Sequence, residues 1–139
     1  TNNGMVGQDP EGNRLQSMAF DLKEDGYKIG IMSSVPINHA TPASFYGHNP
    51  RRSAHYEISS EIPASGFEFF GGSGFYNYKG RKGDKPGVDI YIEENGYDVC
   101  YGPDEFAARD MEKDIVFIRK AEGRQIRKIM SATELKLAM

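Results

Sequence analysis

The chain has 139 residues, of which 38% are hydrophobic and 16 are glycine, so it is long enough for one domain with a core and is rich in turns. Its net charge of −3 gives no basic footprint for nucleic acid, and no apolar run approaches the ~18 residues of a membrane span. One cysteine, Cys100, excludes an internal disulfide and a cysteine zinc cluster.

The first predicted helix follows a polar, glycine-rich loop of residues 1–12. Asn13 is the expected N-cap, and Gly26 is the expected stop because glycine adopts positive φ at little cost. Four apolar residues between them share one helical face: Leu15, Met18, Ala19 and Leu22.

A strand, a loop and a helix then follow in an order that predicts a ligand-binding corner. Residues 27–33 are apolar, as in a strand covered on both faces, and residues 33–40 form a polar loop. Thr41 would cap the next helix, with Pro42 at its first position. In an open α/β sheet, such loops converge at the carboxyl ends of the strands. Four polar residues would occupy this corner: His39, Thr41, His48 and Arg52.

Each of these residues also has an interpretation that needs no ligand. Thr41 could simply cap the helix, and His39 could be an ordinary loop histidine. His48, late in the predicted helix, could complement the helix dipole or support a metal site from a distance. Arg51 and Arg52 could be a surface pair, although a guanidinium offers two parallel N–H groups that suit phosphate oxygens.

The next part of the chain continues the alternation of helix and strand. Residues 54–62 predict a helix stopped by Pro63, and residues 67–70 predict a strand. The glycine run at 71–74 lacks the Gly-Lys-Ser/Thr of a phosphate loop, so we interpret it as a structural turn. Residues 78–87 are basic and glycine-rich, which is typical of an exposed loop.

Residues 88–102 leave two interpretations open. Asn95-Gly96 is a hairpin signal between alternating apolar residues, but the same residues also fit a helix that ends at Gly96 and a strand at 97–101. Pro103 would start a short helix, and residues 114–118 predict a last strand. Residues 119–139 are basic with helical propensity, and we assign them no role.

The corner residues resemble the alkaline phosphatase family. Residues 39–43, His-Ala-Thr-Pro-Ala, followed by His48 and Arg52, resemble that family's motif. Residues 1–7 resemble the segment just after its nucleophilic serine, and residues 30–34 resemble the strand that leads into the motif. Three elements at matching spacing are more specific than a lone four-residue match. The resemblance is closest over the first half of the chain.

This resemblance implies site residues and metals. Thr41 would be a hydroxyl ligand of a magnesium site, and His39 occupies a position where the family has an acidic residue or a histidine beside that site. Arg52 would be the catalytic residue that grips the substrate phosphate. His48 would support the site from outside the ligand shell. The intact family uses Mg and Zn.

The resemblance also implies that the chain is an internal fragment, a single partial α/β domain over residues 1–139. The nucleophilic serine would precede Thr1, and the zinc ligands would lie before Thr1 and after Met139, so zinc is not expected in this piece. The fold class is α/β, a layered, mostly parallel sheet with helices on both faces and right-handed crossovers. The family pattern favours helix then strand over residues 88–101.

The intact protein would hydrolyse phosphate monoesters through a phosphoserine intermediate, and the isolated fragment would be inactive. The resemblance implies a periplasmic or extracellular location, although no signal is visible here. Partners would be the ester substrate and further copies of the chain, since unpaired sheet edges recruit other chains. One alternative is a non-catalytic phosphate-binding or structural module. Another is an unrelated nucleotide-binding domain, although residues 33–41 lack its glycines.

Overall fold

The computed structural model describes residues 3–109 and 112–119, so the stretch 119–139 lies outside the described residues except for Arg119. These residues contain a four-stranded, all-parallel sheet of order β1-β2-β4-β3. The strands are β1 (Gly30–Met32), β2 (Phe69–Gly72), β3 (Asp98–Tyr101) and β4 (Ile115–Ile118). The helices that the described residues form are α1 (Met18–Glu24), α2 (Ala40–Ala43), α3 (His55–Ser60), α4 (Ile62–Ser65), α5 (Val88–Glu94) and α6 (Gly102–Ala107).

Side chains that alternate along β2 pack against different layers. Phe70 is fully buried, and its ring meets that of Tyr46 edge-on at 5.2 Å in the main core. Phe69 points to the other face, where the ring of Phe106 from α6 lies 6.3 Å from it and 5.5 Å from Phe117. Both faces of the sheet therefore carry helices, which confirms the predicted α/β class.

The first helix begins later than the sequence predicts. Asn13 does not cap it, because its backbone N–H and its side chain both bond to the Asp9 carboxylate, each at 2.8 Å. Ser17 occupies the N-cap position instead, and Leu15 lies before the helix, 41% exposed. Gly26 follows the last turn with a φ of 89°, so the predicted stop is confirmed.

The corner helix is also capped differently. Its N-cap is His39, whose imidazole accepts a hydrogen bond from the backbone N–H of Thr41 at 3.3 Å. Thr41 is therefore inside α2, and the prediction that Thr41 is the cap is wrong. α2 ends at Ala43, so His48 lies beyond the helix, and the proposed helix-dipole role for His48 is wrong as well.

Two further boundaries depend on proline and glycine. Pro63 does not stop a helix but lies in the first turn of α4. N–H groups in the first turn have no partner within the helix, so the missing N–H of proline costs no hydrogen bond there. Gly71 and Gly72 belong to β2, because their backbones pair with β4. Residues 88–94 form α5, and Gly96 follows it with a φ of 98°, so the helix interpretation is confirmed and the hairpin is wrong.

Candidate functional site

A buried asparagine fixes the loop that connects β1 to α2. The side-chain nitrogen of Asn38 lies 2.9–3.0 Å from three acceptors, the carbonyl oxygens of His55 and Tyr76 and the hydroxyl of Ser59. Its amide oxygen accepts the N–H of Tyr76 at 2.9 Å. Asn38 is fully buried, so these bonds form away from water. One side chain thus joins the corner loop to α3 and to the segment after β2.

His39 follows this anchor, and its hydrogen bond defines its chemistry. Nδ1 accepts the Thr41 N–H, so Nδ1 carries no hydrogen. In the neutral ring the hydrogen is then on Nε2, which can donate to a water molecule bound to a cation. The ring is half-buried, and its centroid lies 6.2 Å from that of Tyr76. This geometry suits a residue that orients a metal-bound water better than a direct metal ligand.

Thr41 presents a hydroxyl at the same corner. Its backbone is engaged twice, since its N–H bonds to His39 and its carbonyl accepts the Ser44 hydroxyl at 2.7 Å. The residue is exposed, and within the described part of the chain nothing hydrogen-bonds to its hydroxyl. A hydroxyl oxygen of this kind is available to Mg²⁺, which takes oxygen ligands and keeps several waters.

Arg52 lies against the opening segment of the chain. Its backbone N–H donates to the carbonyl of Gly4 at 2.8 Å. Just before it, Val6 and Asn49 exchange two backbone bonds of 2.9 Å as an antiparallel bridge. Gly7 packs so closely on the adjacent turn that an added Cβ would lie 2.2 Å from the Gly47 oxygen. The Arg52 turn and residues 4–7, far apart in sequence, are therefore one unit.

The two neighbouring arginines have different surroundings. The Arg51 N–H bonds to the side chain of Asn49 at 3.0 Å. The hydrogen bond from Lys85 and, more weakly, the charge of Arg51 hold the pKa of the Glu57 carboxyl below its usual value. Arg51 is therefore within electrostatic range of Glu57 on α3, the backbone of Arg52 lies beside the opening segment, and both arginines are exposed.

His48 lies in a different place, a cleft of about 320 Å³ beside α1 and α4. Its Nε2 is 3.1 Å from the Leu15 carbonyl, and its backbone N–H bonds to the Glu61 carboxylate at 2.8 Å. Among the described residues, no hydrogen bond connects it to His39 or Thr41. His48 therefore braces the turn that leads to Arg52.

The corner fits part of a magnesium site and does not fit a zinc site. Thr41 offers one oxygen ligand and His39 a donor to a bound water, but among residues 3–109 and 112–119 no group of three or more His, Cys, Asp or Glu is placed to hold a metal. Cys100 is buried, which raises the pKa of its thiol to about 11. The thiol is therefore protonated at neutral pH.

Sequence reasoning missed Asn38 and Tyr76. Asn38 precedes the motif and looks like any polar loop residue, and nothing local shows that its side chain is buried. Tyr76 packs its ring 4.9 Å from that of His55 and 6.2 Å from that of His39, across a sequence separation of more than twenty residues. The only sequence feature that pointed to Tyr76 is the glycine run before it, which predicts a turn of the chain at the end of β2.

The fold is that of an α/β protein whose polar corner lies at the carboxyl end of a parallel sheet, where such proteins hold ligands. A family model for alkaline phosphatase matches residues 1–79, more than half of the chain. The chain therefore belongs to the alkaline phosphatase family. Alkaline phosphatase 4 of Bacillus subtilis (strain 168) is 36% identical over 52 residues, which are 37% of this chain and 11% of that protein.

Solved alkaline phosphatase structures are also similar to this chain in fold. Alkaline phosphatase from the Antarctic bacterium TAB5 superimposes with a TM-score of 0.79 at 26% identity, over 99% of this chain and 42% of that one. The Thermus thermophilus enzyme gives 0.70 at 28% identity, over 87% and 26%. Two variants of the TAB5 enzyme, with a histidine replaced by glutamate or aspartate, hold Mg in the M3 site. The chain thus spans less than half the length of these relatives.

None of the helices in the described residues has both the length and the apolar character needed to span a membrane.

Proposed function

We propose that this chain is part of a longer alkaline phosphatase that hydrolyses phosphate monoesters. Family membership and the α/β fold support the reaction class, and the partial coverage of the relatives supports a single partial domain over residues 1–139. In this proposal Arg52 binds the substrate phosphate, Thr41 is a magnesium ligand and His39 orients a water of that magnesium. The substrate, the location outside the cytoplasm and self-association are part of the same proposal.

One observation carries the proposal, the backbone bond from Arg52 to Gly4. The family resemblance puts the nucleophilic serine just before residue 1, and Gly4 is only a few residues further on. The bond supports the proposal, because the backbone of Arg52 lies beside the segment that would follow the nucleophile. A planar guanidinium there would donate two parallel hydrogen bonds to phosphate oxygens and stabilise the charge that develops on them.

The remaining corner residues have supporting tasks. When bound, magnesium would supply positive charge and a polarised water beside the phosphoryl group. Thr41 would contribute its hydroxyl oxygen, and His39 would fix the orientation of a water through Nε2–H while Nδ1 caps α2. His48 would act indirectly, by tying the Arg52 turn to Leu15 and Glu61. No step is assigned to zinc, since the described residues hold no zinc site.

The test compares the two arginines in the full-length protein. Arg52→Ala should lower kcat/KM for a chromogenic phosphate monoester by about tenfold or more, because charged hydrogen bonds contribute roughly 1.5–3 kcal/mol each. Arg52→Lys should fall between Arg52→Ala and the wild type, because lysine keeps the charge and loses the two-pronged geometry. Inorganic phosphate should inhibit both variants less than the wild type.

Arg51→Ala is the matched control and should keep close to full activity, because Arg51 is one residue out of the position that matches the family's motif. A crippled Arg51→Ala together with an active Arg52→Ala would refute the assignment. The rival function, a phosphate-binding module without catalysis, predicts that wild-type protein binds phosphate but shows no turnover. The isolated chain of 139 residues should likewise show none with zinc and magnesium present.

A further inference from the structure

A loop rich in cations stands beside the candidate corner. We call residues 79–85 the basic loop, and its four cations are all exposed: Lys79, Arg81, Lys82 and Lys85. Backbone bonds close it on itself, from Gly83 to the Gly80 carbonyl at 3.1 Å and from Lys85 to the Lys79 carbonyl at 3.0 Å. The loop therefore presents its charges from a defined backbone instead of a free coil.

Two tyrosines fasten the start of the basic loop. Tyr78 and Tyr101 donate their hydroxyls to the two carboxylate oxygens of Asp89, at 2.5 and 2.7 Å. Burial and the bond to Asp89 raise the pKa of Tyr78 to about 12, so its hydroxyl stays a donor at pH values where an ordinary tyrosine begins to lose its proton. The backbone N–H of Val88 bonds to the Tyr78 carbonyl at 3.0 Å, so the segment returns to this point.

The end of the basic loop is fastened beside the arginine turn. Lys85 lies 2.9 Å from the Glu57 carboxylate, and its ammonium stands 4.5 Å from the ring centre of Tyr56. Arg51 acts electrostatically on the same Glu57 carboxylate. One end of the loop therefore adjoins the turn that carries Arg52.

The other end of the basic loop leads directly out of the corner. Tyr76, two residues before Tyr78, has its backbone bonded on both sides to Asn38 and its ring packed between those of His39 and His55. The two attachments of the loop thus lead to α3, which follows the Arg52 turn, and to the Asn38 anchor of the corner.

The charge of this region is opposite to that of the chain. Residues 51–57 and 79–85 together hold six lysines and arginines against two carboxylates, an excess of four positive charges, while the chain has a net charge of −3. A concentrated excess of one sign beside a binding site attracts ligands of the other sign over about a Debye length, roughly 8–10 Å.

We propose that the basic loop is a specificity surface for phosphate esters whose leaving group carries a second anionic group, such as another phosphate. The proposal rests on the proposed function, because it places the reacting phosphate at Arg52. The second anion of the same molecule would lie over Arg81 and Lys82, whose side chains bond to no other residue in the described part of the chain. Esters with an uncharged leaving group would gain nothing from the loop.

The experiment uses the full-length protein and two matched substrates, glucose 6-phosphate and glucose 1,6-bisphosphate, with kcat/KM measured by phosphate release. The wild type should prefer the bisphosphate, and Arg81→Glu should reduce that preference about two- to fivefold, since an exposed charge pair contributes little. The preference of the wild type should also decline as salt is raised from low to physiological ionic strength.

The matched control is Lys28→Glu, which changes net charge equally. Lys28 is exposed and lies before β1, where it acts on Asp114 before β4, so it is at the amino ends of the strands and opposite the corner. Lys28→Glu should leave kcat/KM unchanged for both substrates. An equal loss on both substrates in Arg81→Glu, or the same change in Lys28→Glu, would overturn the proposal. Absence of phosphate release from either ester by the wild type would instead refute the proposed function.

Discussion

Asn38 illustrates how one side chain can organise a site without touching a ligand. Its amide reaches α3 through His55 and Ser59 and reaches the segment after β2 through Tyr76. We predict that Asn38→Ala lowers the free energy of unfolding by about 2–4 kcal/mol, because several buried polar groups lose their partner. Urea denaturation measures this value.

The comparison for this prediction is Asn95→Ala, which also removes an amide bond to a backbone carbonyl, here Tyr91 at 2.8 Å, but on the exposed end of α5. Its cost should stay below about 1 kcal/mol, because water replaces the lost partner. Equal costs for the two variants would mean that Asn38 does not organise the corner.

The candidate residues of the corner could be selected from the sequence, but their contacts could not. His39, Thr41 and Arg52 stand out by motif and spacing, whereas the cap could be assigned only by geometry. Thr41 has the better capping propensity, yet the imidazole of His39 reaches the free N–H and moves the start of α2 upstream. Local preference gave way because His39, two residues before Thr41, supplies the acceptor for the Thr41 N–H.

At the scale of elements, the end of β2 and the corner loop approach each other very closely. A Cβ added to Gly72 would lie 2.8 Å from the Ile37 backbone nitrogen, so Gly72→Ala must displace the corner loop. We predict a loss of about 1–3 kcal/mol in the free energy of unfolding, as for other overpacked sites. Thermal and urea unfolding both measure it.

Gly30→Ala is the control within the same sheet. Its Cβ would meet only Phe69 side-chain atoms at 3.6–3.8 Å, an ordinary contact, and Gly30 has no positive φ. Because alanine loses less backbone entropy than glycine on folding, this variant should be neutral or slightly more stable. A Gly72→Ala protein as stable as Gly30→Ala would contradict the close approach.

The elements α1, β1 and β2 are joined by one carboxylate. Burial by itself would raise the pKa of Glu68, but hydrogen bonds from the Lys23 ammonium and from the Ile29 N–H, the latter at 2.8 Å, outweigh it and lower the pKa. Because the pKa of Glu68 is lower in the folded state, its carboxylate stabilises the fold at pH values above the ordinary pKa of 4.5. This stabilisation is lost as the pH falls through the pKa of the folded state.

Glu68→Gln should therefore cost stability at pH 7, and this cost should shrink at an acidic pH well below 4.5, where wild-type Glu68 also becomes protonated. The measurement is the free energy of unfolding of both proteins at the two pH values. Glu94→Gln, an exposed change at the end of α5, should have a small effect at both. A cost for Glu68→Gln that is the same at both pH values would contradict the linkage.

Elements were predicted well where the chain is strongly patterned and less well at their ends. In the described residues, β1, β2 and β4 lie where apolar runs predict them, shifted by up to three residues, because burial on both faces leaves a clear signal, and β3 lies where the family resemblance favours a strand. The errors fall where a side chain acts beyond its neighbours, as when Asp9 takes both hydrogen bonds of Asn13 and delays α1. Pairing partners such as Phe69 and Ile115 are far apart in sequence and leave no local pattern.

At the scale of the whole molecule, β1 and β3 form the edges of the sheet that the described residues build. Met18 on α1 is 66% exposed, and Leu15 and Phe45 are also exposed. Edges and apolar patches of this kind bind other chains, so we predict that the chain of 139 residues self-associates. Sedimentation should show mass rising with concentration, and Met18→Lys should reduce the effect. A monomer at every concentration would contradict this prediction.

The central place of β4 has a consequence for how the chain reaches this fold. β4 pairs with both β2 and β3, which do not pair with each other. During synthesis, β3 emerges from the ribosome before β4, which is its pairing partner in the sheet of the described residues, so this pairing must wait for residues 115–118. Parallel pairing between distant segments is slow to form, and unpaired strands aggregate in the meantime. Folding of this region is therefore timed by β4, and the nascent chain is most vulnerable just before that strand appears.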